Sequence, residues 1–483
     1  MRILLSLLLS LSFLAAHTAS SQEHPARPVI IDTDCAPDDF RAINYFLSDP
    51  ELEIKAITSV DGTIEPEEGY IRINALLKDL GHEGIRTSQG ILTRNNPPQW
   101  RSIAKSISWG EPLVSYKQPK EIKEFLVTII DESSSPVDVI CMGPLTNIAN
   151  AILMKPSIKK EINRIVWFDQ CRSDDKNTNY GMDCPSADYI LKTQIPIFRV
   201  KTGEKPQSFQ PALLKKMQKI QTPYAQKIVR THSADSIQKA LETGHLKIWD
   251  DLTALFFFYP ELFETDKSQV NKQGNIVTLK EPGNLQDNLL RLLHRSNQQQ
   301  PTVLQHFPAD TNAYQKDLGP HIQEIIQKNG LQEWKASILT HELHHHVGIY
   351  SVIGAKMGIR AVNYFHTTAD HLQIYSDCGT NPPLSCMNDG IQAGSGCTLG
   401  NGKYHITNGN TFPRITVKYY NRKIDIKLAS SYHNQIREII QKGEQQYSTD
   451  SEEYWDYVRK NTFSIWKNWD RNSIFRISET KSN

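Results

Sequence analysis

Val29-Ile-Ile-Asp32-Thr-Asp34-Cys-Ala-Pro-Asp38-Asp39 is the stretch that determines the fold, because it joins an apolar run to four carboxylates within eight residues. An apolar run that ends in acids is typical of a buried parallel strand, which presents charged side chains at the carboxyl edge of an α/β sheet. Carboxylates this close repel one another unless a cation neutralises them, and Ca²⁺ accepts several such oxygens in flexible geometry. The stretch therefore predicts a calcium site; the alternative is a solvated acidic turn that caps a helix beginning near Asp39.

Strand and helix patterns alternate through the first half of the chain. Short apolar runs of strand length are followed by segments with helical spacing, in regular order. The predicted strands are 53–60, 137–142, 164–168 and 195–200, and the predicted helices are 39–47, 70–80 and 145–153. This alternation predicts an α/β fold in which a mostly parallel sheet is covered by helices.

Length, charge and the amino terminus restrict the classes of function. A chain of 483 residues predicts two domains, and a net charge of +1 with no basic run argues against a nucleic-acid partner. Residues 1–22 are predicted to be a secretory signal peptide, because a charged start precedes an apolar stretch and small residues. No later segment is apolar for long enough to span a membrane. We therefore expect an exported protein, periplasmic or extracellular, without a membrane anchor once the signal is removed. The sequence is compatible with a homo-oligomer and does not decide the oligomeric state.

Four segments resemble, in order and spacing, signatures of the inosine/uridine-preferring nucleoside hydrolase family. The first is Asp32-x-Asp34-x-x-x-Asp38-Asp39, and the last, Trp249-Asp-Asp-Leu-Thr-Ala254, resembles a His-Asp-Pro-Leu-Ala segment. Between them lie Met142-Gly-Pro-Leu-Thr-Asn147 and Asn179-Tyr-Gly-Met-Asp183. The resemblance covers residues 27–329. It implies a hydrolase that cleaves the N-glycosidic bond of a small-molecule nucleoside or related riboside with a calcium-activated water.

The resemblance assigns a role to each matching position. The implied calcium ligands are Asp34, Asp39, Asp250 and the main-chain carbonyl of Met142. Asp34 is also the implied base, while Asp38 and Asn179 would hold the ribose hydroxyls. A metal-bound water is more acidic than bulk water, and carboxylates near the sugar stabilise the positive charge that develops during glycoside cleavage. An alternative for Asp250 alone is helix capping.

The chain departs from the family pattern in the pocket for ribose and base. Trp249 stands where a leaving-group His precedes the last Asp, and Asn177 stands where a Glu precedes the ribose Asn. Gly62-Thr63 and Phe168-Asp169-Gln170 replace two further signatures. The calcium ligands are kept while the substrate contacts differ, so the nucleobase is not implied, and Trp249 is suited to stack on it. An alternative function is therefore an exported, calcium-containing riboside-binding protein without turnover.

A second group of metal-binding residue types lies in the carboxyl-terminal part. The segment 386–402 resembles the Cys-x-x-Asp-x-x-Gln and Gly-Cys-Thr-x-Gly-x-Gly signature of the FmdE-like family, which takes its name from formylmethanofuran dehydrogenase. A His-rich segment and a helix over 348–361 precede it, and the resemblance covers 332–483, which implies a smaller α+β metal-binding domain. The candidate ligands for Zn²⁺ or another transition metal are His344, His346, Cys386 and Cys397. The alternative is that the two cysteines are buried apolar side chains or form a disulfide.

His341-Glu342-x-x-His345 offers a different metal chemistry. On a helix the two histidines would share a face and bind zinc, with Glu342 as the base of a peptidase. The third histidine of the longer metzincin pattern is missing, because Ser351 occupies its place. A zinc peptidase is therefore the third hypothesis, beside a helix surface that carries unliganded histidines.

The predicted boundary between the two modules is short. Residues 310–330 are predicted to be the closing helix of the first domain, because Asn329-Gly330 is a helix stop signal. Near the carboxyl terminus, aromatic residues between 454 and 469 predict a helix that covers the second core. Among the seven cysteines, Cys171 and Cys184 form a candidate disulfide.

Overall fold

A computed structural model describes most of the chain. The described residues are 27–93, 98–111, 120–170, 178–203, 206–266, 274–295, 303–304, 307–407, 409 and 411–480. The predicted signal peptide, Asn177 and Cys171 lie outside these residues. The bounds and contacts that follow refer to the described part.

The amino-terminal module is built on an eight-stranded sheet. Its strands are β1 Arg27–Thr33, β2 Leu52–Ser59, β3 Arg86–Gln89, β4 Val137–Met142, β5 Ile162–Phe168, β6 Ile197–Lys201, β7 Phe263–Thr265 and β8 Asn275–Leu279. Their order is β3-β2-β1-β4-β5-β6-β8-β7, and every neighbouring pair is parallel except β7 and β8. The direction of strand order reverses between β1 and β4, and this switch point is where open α/β sheets bind ligands.

Helices cover both faces of this sheet. They are α1 Pro37–Leu47, α2 Pro66–Leu80, α3 Arg101–Ser106, α4 Ile122–Asp131, α5 Thr146–Met154, α6 Asn179–Met182, α7 Cys184–Leu191, α8 Pro211–Met217, α9 Pro223–His232, α10 Asp235–Glu242, α11 Asp251–Phe258 and α12 Leu285–Leu293. The next helix in the chain, α13 Ile322–Asn329, does not cover this sheet. Neighbouring residues of β1 serve opposite faces: Ile31 belongs to one apolar core and Ile30 to the other. The predicted α/β architecture with a mostly parallel sheet is confirmed.

The carboxyl-terminal module is a smaller α+β unit. Its strands are β9 Leu372–Ser376, β10 Tyr404–Ile406, β11 Arg414–Tyr419, β12 Arg422–Leu428 and β13 Phe475–Thr480. Its helices are α14 Leu331–His344, α15 Ile349–Phe365, α16 Met387–Ser395, α17 Ser430–Gln446 and α18 Glu452–Asn468. The sheet order is β10-β9-β11-β12-β13, antiparallel except for β10 and β9. This confirms the predicted smaller α+β region.

The predicted closing helix over 310–330 is wrong in extent. Within this range only α13 is an α-helix, and two short 3-10 turns precede it. The helix ends as predicted, because Gly330 adopts φ +85°. Ile322 and Ile325 pack in one cluster with Trp334 and Trp466 of the second module. The apolar face of α13 therefore joins the carboxyl-terminal core instead of closing the first one.

Polar contacts join the two modules. His366, just after α15, donates from Nε2 to the carbonyl of Leu47 at the end of α1, at 2.8 Å. Arg360 donates from Nη2 to both carboxylate oxygens of Glu83, at 2.7 and 2.8 Å, and His82 Nδ1 donates to the main chain of the second module at 2.6 Å. The second module thus holds the far end of the helix that begins at the acidic stretch. None of the helices in the described ranges combines enough length and apolar character to cross a bilayer.

Candidate functional site

The acidic stretch forms a sharp turn between β1 and α1. Cys35 adopts φ +65°, which bends the chain after the strand, and Pro37 occupies the first turn of α1, where its fixed φ suits the start of a helix. Asp34, Asp38 and Asp39 are all buried at this turn. The first turn of a helix favours negative charge, so the two carboxylates of α1 lie at its positive end.

Three carboxylates converge from two helices. Single oxygens of Asp38, Asp39 and Asp250 lie within 4.8 Å of one another. Asp39 Oδ2 accepts hydrogen bonds from Thr33 Oγ1 at 2.6 Å and from the main-chain N–H of Asp34 at 3.1 Å. Asp39 Oδ1 and Asp250 Oδ1 are buried and have no hydrogen-bond partner in the described part of the chain. Buried carboxylate oxygens without donors fit a hard cation, which prefers oxygen ligands.

Asp34 is oriented by the loop after β2. Its Oδ2 accepts a hydrogen bond from the main-chain N–H of Thr63 at 3.0 Å. A Cβ on Gly62 would lie 2.3 Å from this oxygen, so only glycine permits the approach. Met142, at the end of β4, is the register partner of Thr33 in β1. The structure therefore brings the ends of β1, β2 and β4 together around Asp34, as expected for the carboxyl edge of a parallel sheet.

Burial sets the protonation of these three carboxylates and of Asp34, a predicted ligand that lies outside the group of three. It raises the pKa of Asp34 to about 7, and repulsion from Asp38 adds to this effect. Burial is also the largest cause that raises the pKa of Asp38, Asp39 and Asp250. A divalent cation would favour the ionised forms of all four groups. The donor set and its electrostatics therefore fit Ca²⁺.

The second module brings two histidines and one cysteine together. Nitrogen and sulfur atoms of His344, His346 and Cys386 lie within 4.8 Å of one another, and all three residues are half-buried. His346 Nδ1 donates to the carbonyl of His344 at 2.9 Å, which leaves its Nε2 available. His344 bonds Asp389 Oδ2 through Nε2 at 2.7 Å and Ser351 Oγ through Nδ1 at 3.0 Å. His344 would therefore exchange one of these partners to bind a metal.

Close helix packing builds this second site. A Cβ on Gly354 of α15 would lie 2.2 Å from the carbonyl of Met387, and one on Gly390 of α16 would lie 2.2 Å from the carbonyl of Ser351. The two backbones therefore approach each other without intervening side chains. This packing places Cys386 and Asp389, at the start of α16, against the histidines that precede α15.

Comparison with protein families separates the same two modules. A family model described as "Inosine-uridine preferring nucleoside hydrolase" matches residues 29–311, which is more than half of the chain. The chain belongs to the inosine-uridine preferring nucleoside hydrolase family. A second model, described as "FmdE, Molybdenum formylmethanofuran dehydrogenase operon", matches residues 343–476.

The curated relatives of this nucleoside hydrolase family member are matched over only part of their length. The pyrimidine-specific ribonucleoside hydrolases RihA of Photobacterium profundum and of Salmonella agona are each 30% identical over 186 residues. These matches cover 36% of this chain and 59% of each relative, so the chain spans about three fifths of the curated relatives that it matches.

Solved structures are similar at lower identity. The purine-preferring ribonucleoside hydrolase from Gardnerella vaginalis is 20% identical with a TM-score of 0.47, covering 56% of this chain and 99% of that one. The inosine-uridine preferring nucleoside hydrolase from Bacillus anthracis is 16% identical with a TM-score of 0.43, again covering 56% and 99%.

The substrate side of the nucleoside hydrolase module is partly described. Asn179 begins α6 and donates from Nδ2 to the carbonyl of Phe168 at 2.9 Å, which fixes it beside the end of β5. Trp249 directly precedes Asp250, and 37% of its surface is exposed. Asp38 Oδ2 accepts from the main-chain N–H of Asp250 at 3.3 Å, so the residue predicted to bind ribose also lies among the candidate cation ligands.

Sequence reasoning missed two buried arginines around the nucleoside hydrolase site. Arg101 donates to the carbonyls of Thr63 and Gly62 at 2.8 and 2.7 Å, and so holds the loop that orients Asp34. Arg41 binds Asp251, the neighbour of Asp250. In the sequence, only Arg41 gives a local indication of burial, because it stands between apolar residues of the helix that follows the acidic stretch.

Cys397 is not brought to the second site. It is buried, and its Sγ lies 3.8 Å from the carbonyl of Ala369, outside the group formed by the two histidines and Cys386. Its predicted role as a ligand therefore finds no support in this geometry. The six cysteines in the described ranges are all free thiols, so Cys386 and Cys397 form no disulfide. Cys184 is among them, and its predicted partner Cys171 lies outside those ranges.

The zinc peptidase hypothesis lacks its required geometry. Helix α14 ends at His344, and His345 is exposed with φ +57°, so it does not share a helical face with His341. His341 is buried against the ring of Trp466, and burial lowers its pKa to about 3. The predicted pairing of His341 and His345 is wrong because the helix stops one residue too early.

The stability of the calcium-free protein should depend on pH through Asp32 and Asp34. Burial raises the pKa of both from 3.8 to about 7. Between these values the folded chain keeps protons that the unfolded chain has released, so the free energy of unfolding falls as pH rises from about 4 to about 7. A bound calcium ion would favour the ionised carboxylates and oppose this loss. We expect the calcium-induced increase in Tm, measured by calorimetry against a chelator control, to be larger at about pH 8 than at about pH 5. Equal increases would contradict this assignment.

Proposed function

We propose that this protein hydrolyses the N-glycosidic bond of a nucleoside or related riboside, with Ca²⁺ held by the buried carboxylates at the end of β1. The observation that carries the proposal is the pair of buried oxygens, Asp39 Oδ1 and Asp250 Oδ1, without a donor in the described part of the chain. Unpaired buried carboxylates destabilise a fold, and a cation would remove that penalty. Family membership supports the class of reaction.

Each residue of the site then has a chemical task. Asp34 accepts a proton from water, because the N–H of Thr63 fixes its orientation and a bound cation would keep its carboxylate ionised. Ca²⁺ bound there would make a water molecule more acidic. Asp39, Asp250 and the carbonyl of Met142 would hold the cation together with Asp34. Asp38 and Asn179 bind the ribose hydroxyls, and the nearby carboxylates stabilise the positive charge that develops on the sugar.

The leaving base meets different groups from those in the family signature. Trp249 has no proton to give at neutral pH, so we propose that its half-exposed indole stacks on the base instead of protonating it. Asn177 is a further candidate contact to the substrate and lies outside the described residues. The curated relatives are described as pyrimidine-specific, so pyrimidine nucleosides belong among the substrates to be tested.

The first experiment is release of free sugar from a panel of purine and pyrimidine nucleosides, with added calcium and with a chelator. Release that requires calcium supports the proposal and identifies the substrate. Binding of calcium and nucleoside without release would favour the riboside-binding protein instead. The panel needs no nucleic-acid substrate, since the chain has a net charge of only +1.

We further propose that His344, His346 and Cys386 bind Zn²⁺ or another transition metal. The hydrogen bond from His346 Nδ1 to a main-chain carbonyl supports this, because such bonds orient the other ring nitrogen of metal-binding histidines. We expect Cys386→Ser to reduce the bound metal from about one equivalent to near zero, measured by elemental analysis. Sugar release should stay unchanged.

Cys397→Ser is the matched control for this variant. Cys397 lies in the same module but outside the group, so we expect it to retain the metal. Loss of metal from the Cys397 variant alone would restore the ligand set expected from the sequence and contradict the set of three.

Export is also proposed, from the sequence of residues 1–22 alone. The charged start, apolar stretch and small residues predict cleavage by a signal peptidase. Determination of the amino-terminal residue of the mature protein tests this, and an intact Met1 would contradict it.

A further inference from the structure

Arg41 lies fully buried in α1, two residues after Asp39. Its guanidinium forms a two-pronged pair with Asp251, Nε to Oδ1 at 2.9 Å and Nη2 to Oδ2 at 2.8 Å. Nη2 also donates to the carbonyl of Lys247 at 2.6 Å. Both members of the pair are almost without exposure, so solvent does not weaken their attraction.

The surroundings of Arg41 leave it no second role as a proton donor or anion site. Nη1 faces Nε2 of His232 at 3.4 Å, and that ring donates from Nδ1 to the carbonyl of Ile228. Nε2 is therefore an acceptor, and burial lowers the pKa of His232 to about 3, so the ring is neutral. The ring of Phe209 covers the guanidinium at 4.5 Å. The two-pronged pair of Arg41 is thus made with Asp251, and the charge of Arg41 also attracts Asp38.

The two partners belong to the two helices that carry the carboxylate cluster. Helix α1 holds Asp38 and Asp39 in its first turn, and Asp250 immediately precedes Asp251 at the start of α11. A longer hydrogen bond also joins the starts of the two helices: the main-chain N–H of Asp250 donates to Asp38 Oδ2 at 3.3 Å. Asp251 stands where the matching family segment has proline, so the pair is not part of that signature.

We propose that Arg41 is a positioning residue for the cation site, which acts through Asp251 to hold α11 against α1. Carboxylates crowded at the ends of two helices push those helices apart when no cation is bound. The Arg41–Asp251 pair opposes that repulsion without adding net charge, and its two parallel bonds fix orientation as well as distance. Asp250 is thereby kept opposite Asp39 before the cation arrives. The inference rests on the proposed function in one respect, that calcium binds at this cluster.

Positioning and simple electrostatics make opposite predictions for Arg41→Met. A cation near a cation site repels calcium, so removal of its charge alone would tighten calcium binding. Loss of the bond to Asp251 would instead release Asp250 and weaken binding. We expect weaker binding, with the calcium Kd raised about tenfold or more, as is typical when partners that orient metal ligands are removed.

The measurement is isothermal titration of the full chain with calcium chloride. Arg41→Lys is the second variant, because it keeps the charge and the apolar stem while losing the two-pronged bond. It should also bind calcium more weakly, and it provides the test if the Met variant fails to fold. Unchanged or tighter binding in a folded Arg41 variant would overturn the inference.

Glu333→Gln is the matched control. It breaks an equally buried pair, Lys356 with Glu333, in the second module away from the cluster. Its calcium Kd should match that of the wild type even if its Tm falls. An equal loss of affinity in this control would show that affinity follows general stability, which would also overturn the inference. Wild-type protein that binds calcium but releases no sugar would refute the hydrolase and leave this test intact.

Discussion

Replacement of Asp34 by Asn is expected to reduce sugar release by about 10³-fold or more, because the variant loses the group that takes a proton from water. Asparagine has nearly the same shape and can still accept the hydrogen bond from Thr63 N–H, so the loop should stay in place. The amide cannot accept the proton. Initial rates at saturating calcium and nucleoside measure the effect on kcat.

Asp49→Asn is the control for this substitution. Asp49 is a buried carboxylate of the same module, and it pairs with Arg295 instead of facing the site. We expect this variant to lose some stability and to keep its rate of sugar release. Full activity of the Asp34 variant would refute the proposed base.

Replacement of Asp250 by Asn is expected to weaken calcium binding by about 10²-fold, since calcium affinity is tuned by the number of charged ligands. Asp250 Oδ1 is buried and has no partner in the described ranges, and it lies within reach of Asp38 and Asp39. The amide keeps one oxygen but removes the negative charge. Isothermal titration with calcium chloride measures the affinity, and sugar release should then require higher calcium.

Asp183→Asn serves as the matched control, because Asp183 also precedes a helix and accepts hydrogen bonds from Ser186 N and Thr146 Oγ1. It is not part of the carboxylate cluster, so its calcium affinity should not change. If Asp250→Asn binds calcium as tightly as the wild type, Asp250 is not a ligand; its side chain makes no hydrogen bond that caps α11 either.

The sequence was sufficient for features that depend on neighbouring residues. The apolar run before Asp32 predicted β1, and the carboxyl edge of a parallel sheet then brought Asp34, Met142 and the loop at Gly62 together. The resemblance identified Asp250 as a member of the cluster, although its partners lie more than 200 residues earlier. Local pattern and matching motifs therefore predicted both the sheet and most of the candidate site.

Other features depend on contacts that no local pattern records. The pairing of Arg41 with Asp251 joins residues 210 positions apart, and Arg101 reaches the main chain of the loop at Gly62. Cys397 matches its motif, but the path of the chain directs its sulfur towards Ala369. The pairing of His341 with His345 failed because a single residue at φ +57° ends the helix. In each case tertiary packing decided the outcome.

Helix α1 is held at both ends, by the acidic cluster at its start and by His366 of the second module at the carbonyl of Leu47. Loss of the bond from His366 would therefore free the far end of the helix that begins with Asp38 and Asp39, although no described residue of the second module belongs to their cluster. Substitutions at this junction are tolerated only if both modules accept them. The fused chain is thus expected to evolve as one unit and not as two exchangeable parts.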